Sequence, residues 1–422
     1  MERSDTTMAD FNQARNKRGI TISAIVVVIG ILIGNIMPPI AVFLMKLLPN
    51  GAQTDAHFVS EDSTVLNLWA LLDPNKDPAA ASTATCVDLP TPGCTHLEGP
   101  AELAQTITTS STDKFMETNV DSLMRVIIGG EPYAEVEDHH RLNRDSNYPV
   151  TEPVATKLFT IPPLNSGVSV PAHTLEGLQY FFPFETERRS YQYADPIVWE
   201  LVPLDYVDPV EVNGVRAYKF HAEVPPSSLI ESILDAYSGS AADEALESIA
   251  RLSPVEQFQL ALGLDDATAE GVKAVTEGPA ERFFSPEEME RFEYAEGQQV
   301  RLQPYYEATR TFFVEPKTGT VLDHHVDVDI FFAENNLQAR AISEENLRNP
   351  VRTIFSADFA FDEATQQAQL DVATPQMARI RALQAVSLVA NVTTIAALVV
   401  LAWLLVRRRR HRATLNIDEA QA

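Results

Sequence analysis

Two uncharged apolar runs, one near each end, constrain this chain more than any other feature. "ITISAIVVVIGILIGNIM" (20–37) is eighteen residues without a charge, followed by Pro38–Pro39 and a second apolar piece, "IAVFLMKLLP". "AVSLVANVTTIAALVVLAWLLV" (385–406) is twenty-two residues without a charge. At about 1.5 Å rise per residue the second run reaches roughly 33 Å and the first roughly 27 Å, against a hydrocarbon core of about 30 Å. Both read as membrane spans. The first extends to residue 48 if its helix continues through a proline kink, with Lys46 snorkelling to the interface.

Basic flanks set the orientation. "RNKRG" precedes the first span and "RRRRHR" follows the second, so both termini are expected in the cytoplasm. Arg379 and Arg381 oppose this, but five arginines after Val406 outweigh them. The expected order is a cytoplasmic tail (1–19), a span (20–48), an extracytoplasmic domain (49–383), a span (384–406) and a cytoplasmic basic tail (407–422). The location is then the plasma membrane, with the bulk of the chain in the cell envelope. A cleaved signal peptide is the alternative for the first run; the run is long for one, and no A-x-A-type site follows it.

Charge excludes one class of partner. The formal net charge is −27, with +1 before residue 20 and +3 from Arg407 onward, so the negative charge is concentrated between the spans. Such a surface does not bind nucleic acid and repels anionic headgroups, leaving the helices as its contact with a bilayer. Cys86 and Cys94 bracket a Pro-rich turn in "CVDLPTPGC" and fall outside, where a disulfide is the expected state. Free thiols are one alternative; a metal site is another, with only Asp88 and His96 nearby to complete it.

Between the spans the pattern is strand and turn. Asn213–Gly214 in "VNGVRAYKFHAEVP" is a strong hairpin signal, and "EPKTG" separates two strand-like runs within 305–332. On the second of these, Val326, Val328 and Ile330 alternate with Asp327 and Asp329, one face inward and one wet. Residues 227–300 differ: apolar positions fall three and four apart, and Ser253 and Ser285 each start a capping-box pattern, so a helical insertion of three to five short helices is expected. "RTIFSADFAFDEAT" reads as a strand, and a helix starting at Thr374–Pro375 leads into the second span. The fold class is α+β: an antiparallel β-rich extracytoplasmic domain with a helical insertion, flanked by N- and C-terminal transmembrane helices.

The densest local feature is "GLQYFFPFETERRSYQYADP" (177–196), six aromatic rings in twenty positions. It reads as an aromatic strand carrying Tyr180, Phe182 and Phe184, then Arg188, Arg189, Tyr191 and Tyr193. Cross-strand aromatic packing closed by carboxylate–arginine pairs is one reading. The other is an opening where these seven residues line a glycolipid or sugar headgroup, and they are the candidate ligand-lining set. His139–His140 and His324–His325 read as surface histidines; adjacent strand residues face opposite ways, so each pair offers a metal site only one ligand. Carboxylates Glu185, Glu187, Asp195 and Glu200 are close in sequence, but 59 acidic residues put several in any short window. With no nucleophile elbow, phosphate loop or zinc-protease helix, no catalytic, metal or cofactor site is expected, and the chain does not read as an enzyme.

The G-L-Q-Y-x-F-P-F-x-T-E-x-R-x-Y run, "VEVNGVRAYKFHAEVPP", "YYEATRTFFVEPKTGTVLD", and then a helix, a span and an arginine run together resemble the actinobacterial PorA-type porin family. The likeness covers residues 165–225 and 300–412 well and the N-terminal third loosely; the helical block at 227–300 departs from it. The resemblance implies an envelope location, two membrane helices and a large external β-rich domain. Channel activity ascribed to some members implies a porin-like role, yet these strands lack the aromatic girdles of a lipid-facing wall. A channel would then need oligomerised helices or an external conduit, and oligomeric state stays open. The leading expectation is a non-catalytic binding or scaffold protein that holds or passes an envelope lipid or glycolipid. A channel-forming porin-like protein is the alternative, and an envelope-acting enzyme ranks last.

Overall fold

The computed structural model describes residues 18–68, 96–150, 155–162, 166–172, 177–237, 252, 256, 272–273 and 275–419. Cys86, Cys94 and the capping pattern at Ser253 lie outside them. The chain forms two units, one of residues 1–47 with 374–422 and one of residues 48–373. Its principal helices are α1 (Arg18–Lys46), α2 (Leu229–Tyr237), α3 (Pro286–Arg291), α4 (Asn336–Glu344) and α5 (Glu363–Glu419).

In the first unit α1 and the distal part of α5 run antiparallel, packed through small residues. Both are long and apolar enough to cross a membrane. A Cβ on Gly30 would overlap the Thr394 hydroxyl, and one on Gly34 would lie 2.7 Å from Asn391 Oδ1. These two glycines are four apart, the spacing that lets helix backbones approach closely. Polar groups then bind across the gap: Asn35 Nδ2 donates to Asn391 Oδ1 (2.8 Å) and Ser387 Oγ to the Gly34 carbonyl (2.6 Å). α1 includes a π-helical turn at Leu32–Ile36 just before Pro38–Pro39, which re-aims Asn35. Gly30→Leu is expected to separate the pair and lower the detergent-solubilised melting temperature. Gly30→Ala combined with Thr394→Ala should recover most of the loss; equal losses in both variants would mean the close approach is not what holds the pair.

The second unit is built on one twelve-stranded antiparallel sheet. Its first half is a meander of β1 (Gln53–Leu66), β2 (His96–Ser111), β3 (Glu117–Ile128), β4 (Glu131–Asn143), β5 (Ala155–Ile161) and β6 (Ser166–Ala172). The second contains β7 (Tyr191–Ala194), β8 (Leu201–Val212), β9 (Val215–Ser228), β12 (Gln303–Val314), β13 (Val321–Ala333) and β14 (Thr353–Phe361). The spatial order is β6-β5-β4-β3-β2-β1-β14-β13-β12-β9-β8-β7, so the halves join where β1 pairs with β14. Between β9 and β12 lie α2, α3 and a small ribbon of β10 (Glu277–Pro279) and β11 (Gln299–Arg301).

Local chemistry accounts for the turns. Asn213 and Gly214 take φ of 48° and 79° between Val212 and its partner Val215, the left-handed pair a two-residue hairpin requires. Gly319 (φ 72°) closes the "EPKTG" turn, where the Glu315 carboxylate accepts from the backbone of Lys317 and Thr318. Ser285 caps α3 with the full capping box to Glu288, as the spacing predicts.

Three expectations need correction. The stretch before Tyr191 is irregular rather than a strand, because Pro183 cannot donate and Glu185 sits at φ 57°; only Leu178 bridges to Tyr193. The last helix begins at Glu363 rather than Thr374, since Asp362 caps it through Thr365 N (2.7 Å), and it carries Pro375 inside. Of the histidines read as surface groups, His139 and His325 are exposed, but His324 is buried and the His140 side chain is only 4% exposed.

Candidate functional site

Register shifts mark bulges on β1, β4, β9 and β8, and bulges bend strands and increase twist. The sheet curls until its ends meet, but among the described residues no strand pairs across the join. Side chains close it instead. Lys157 on β5 reaches the Asp138 carboxylate on β4 (2.9 Å) and the carbonyl of Pro196, just after β7 (2.9 Å). Tyr180 donates a short hydrogen bond to Asp138 and stacks on His140. Phe159 meets Trp199 edge to face at 5.6 Å. Burial pushes the Asp138 carboxyl up, and the Lys157 ammonium, the His140 ring 3.3 Å away and the Tyr180 hydroxyl outweigh it, holding it well below the usual range.

Inside the curl is a cavity of about 260 Å³. β13 supplies Val326, Val328, Ile330 and Phe332, the inward face its alternation predicts; β14 adds Phe355 and Phe359, and β3 adds Met124 and Val126. Ile230 and Ile233 of α2 cover it, with α2 lying against β6, β9 and β12. Apart from the Thr160 hydroxyl, the polar groups on the wall are occupied by the protein itself. Arg310 Nε donates to Asp195 Oδ2 (3.1 Å) and its Nη2 to Tyr306 Oη (2.9 Å); Tyr306 also donates to Asp195 (3.1 Å). The other Asp195 oxygen accepts from the backbone of Ile197 and Val198. Tyr133 donates to the Leu66 carbonyl, Thr276 to Val272, Gln303 to Tyr305, and Glu135 accepts from Arg125. Burial raises the Tyr133 and Tyr306 phenols far above their ordinary value, so both stay neutral.

The seven candidate lining residues fall elsewhere. Tyr180 belongs to the join, and Phe182, Tyr191 and Tyr193 pack with Phe220 and Phe312 in a second core cluster. Arg188 and Arg189 are exposed, over the rings of Tyr218 (5.0 Å) and Tyr191 (4.6 Å). Phe184 does not line the cavity either. The aromatic run lies in the packing beside the wall, and the wall itself mixes aliphatic side chains with rings from other strands, among them Phe332, Phe355 and Phe359. Arg310 and Asp195 carried a fainter signal: an arginine four residues after Tyr306 on an otherwise apolar strand face needs an internal acid.

His324 sits between the join of the halves and the aromatic core, stacked on Phe312 at 4.0 Å with Phe58 at 5.3 Å. Burial, then the charges of Arg310 and His325, hold its pKa well below 6.5. The folded form thus keeps the ring neutral while the unfolded chain protonates it. The stability this represents is complete above pH 6.5 and is lost as pH falls toward the folded value. His324→Phe is expected to flatten the pH dependence of unfolding between pH 6.5 and 5; an unchanged slope would assign it to other groups.

A family model described as "Porin PorA" matches residues 20–406. The chain belongs to the PorA porin family. A PorA porin of Corynebacterium resistens is 30% identical over 246 residues, covering 56% of this chain and 57% of the relative. One of Corynebacterium amycolatum is 25% identical over 245 residues, covering 56% of this chain and 55% of the relative. The chain thus spans a little over half the length of the curated PorA relatives it matches. PorA membership places it among porin-like proteins of the cell envelope, in keeping with its two apolar helices.

Proposed function

We propose that this chain is a porin-like envelope protein working by binding and passage rather than chemistry. In this reading α1 and the distal part of α5 cross the plasma membrane, both termini are cytoplasmic, and the β unit lies outside. The observation that carries it is the family match, which takes in both apolar helices and the curled sheet. The interior of one chain is apolar, and hydrophobic constrictions shut out water and ions. Conduction therefore requires several copies enclosing the route between them. Purified protein in planar bilayers should give stepwise conductance that disappears when either helix is deleted; silent bilayers at protein densities that insert would refute the channel.

The cavity favours a second reading, a non-catalytic carrier or scaffold for an envelope lipid or glycolipid. Arg188 and Arg189 are then the proposed contact for a sugar headgroup. Protein extracted without detergent should retain lipid detectable by mass spectrometry, with glycolipid reduced in an Arg188→Ala/Arg189→Ala double variant. Empty protein would remove this reading and leave the channel standing.

A further inference from the structure

We infer that the cavity of the curled sheet binds one hydrocarbon chain of an amphiphile, tail inward, and that the head left outside is uncharged. The inference rests on the porin-like envelope reading for where such a ligand is met, but not on conduction.

Size is the first argument. At about 260 Å³ the cavity exceeds the roughly 150 Å³ of apolar cavities that stay dry and take up benzene, and approaches the smallest sites for larger ligands. Chemistry is the second. Arg310, the one cation on the wall among the described residues, is balanced by Asp195 and held by Tyr306, so it has no charge to offer a carboxylate. The buried side-chain atoms that lack hydrogen bonds, among the described residues, belong to Asp138, His140, Asn147, Trp199, His324 and Arg352. None of these lines the cavity, and the one wall hydroxyl with no internal hydrogen bond among the described residues, Thr160, is uncharged, so no charged group waits there for a ligand head. Charge is the third: a chain of net −27 repels an anionic head held at its surface.

The test uses the full chain in phospholipid nanodiscs with a dodecyl glucoside bearing a diazirine in its tail, and maps the labelled peptides. Label is expected on β3, β13 and β14, displaced equally by dodecanol and dodecyl glucoside and less well by dodecanoate. Across a series of alkyl glucosides, affinity should rise about fourfold per added methylene and then stop rising once the tail fills the cavity. Val126→Trp should abolish label on the strands while leaving label on α1 and distal α5; if that variant fails to fold by circular dichroism, Ala134→Leu serves. Label confined to the two apolar helices would overturn the inference, as would tighter binding of dodecanoate. Conductance measured on the same preparation separates the claims: strand labelling without conductance removes the channel and keeps the site, and the reverse removes the site alone.

Discussion

Replacing Lys157 by methionine should destabilise the β unit by about 3–5 kcal/mol, the cost of leaving a buried charge without its partner. Lys157 and Asp138 side chains are each only 2% exposed. The change strands the Asp138 carboxylate and also releases the Pro196 carbonyl, so the two ends of the sheet lose their one charged tie among the described residues. The measurement is the midpoint of urea unfolding followed by Trp fluorescence. Because Asp138 titrates well below the ordinary range, its contribution is present above about pH 4 and fades only as pH falls toward the folded value. The Lys157→Met variant should lack that acid limb. Adding Asp138→Leu should recover most of the stability, since an apolar pair of similar volume often replaces a buried ion pair without loss. A single-variant cost below about 1 kcal/mol, the range of exposed pairs, would show that the join is wet.

The second large effect is expected at Arg352. This guanidinium is 1% exposed, donates to Glu288 and to the Leu347 carbonyl (2.7 Å), and lies 4.6 Å from the Phe284 ring centre. Glu288 also completes the capping box of α3 by accepting from Ser285 N (2.7 Å). Arg352→Met therefore attacks a buried pair and a helix start together, again about 3–5 kcal/mol. Glu288→Gln leaves one acceptor oxygen where Arg352 and Ser285 use two and removes the counter-charge of Arg352, so it should cost nearly as much as Arg352→Met. Hydrogen exchange resolves the locus: amides of residues 286–292 should lose protection first in Arg352→Met. Uniform loss across the sheet would mean that Arg352 supports the whole unit rather than α3.

What could be anticipated from the residues alone was local. The Asn213–Gly214 hairpin, the "EPKTG" turn, the α3 cap and the inward Val326–Val328–Ile330 face all follow from neighbours in sequence, and each forms where its chemistry predicts. The join was invisible for the opposite reason. Asp138, Lys157, Tyr180 and Pro196 come from separate segments, and in a chain with 59 acidic residues one more Asp–Lys pair draws no notice. The cavity was equally hidden, because a valine facing a void and one facing a packed ring read alike. The aromatic run was misread as a strand for a physical cause. Its rings fill the core beside the wall, and Pro183 and Glu185 bend the backbone away from strand geometry to let them.

The pairing of β1 with β14 has a consequence for biogenesis. Phe58 faces Phe361 across that ladder, so a strand emerging early in synthesis awaits a partner roughly three hundred residues downstream, a contact order that slows folding. Until then the nascent first half presents an open row of amide and carbonyl groups along β1, the type of edge that recruits neighbouring chains. Folding of this protein should accordingly depend on a holding factor or on rapid completion, and truncation before Thr353 should yield aggregates rather than a smaller folded domain.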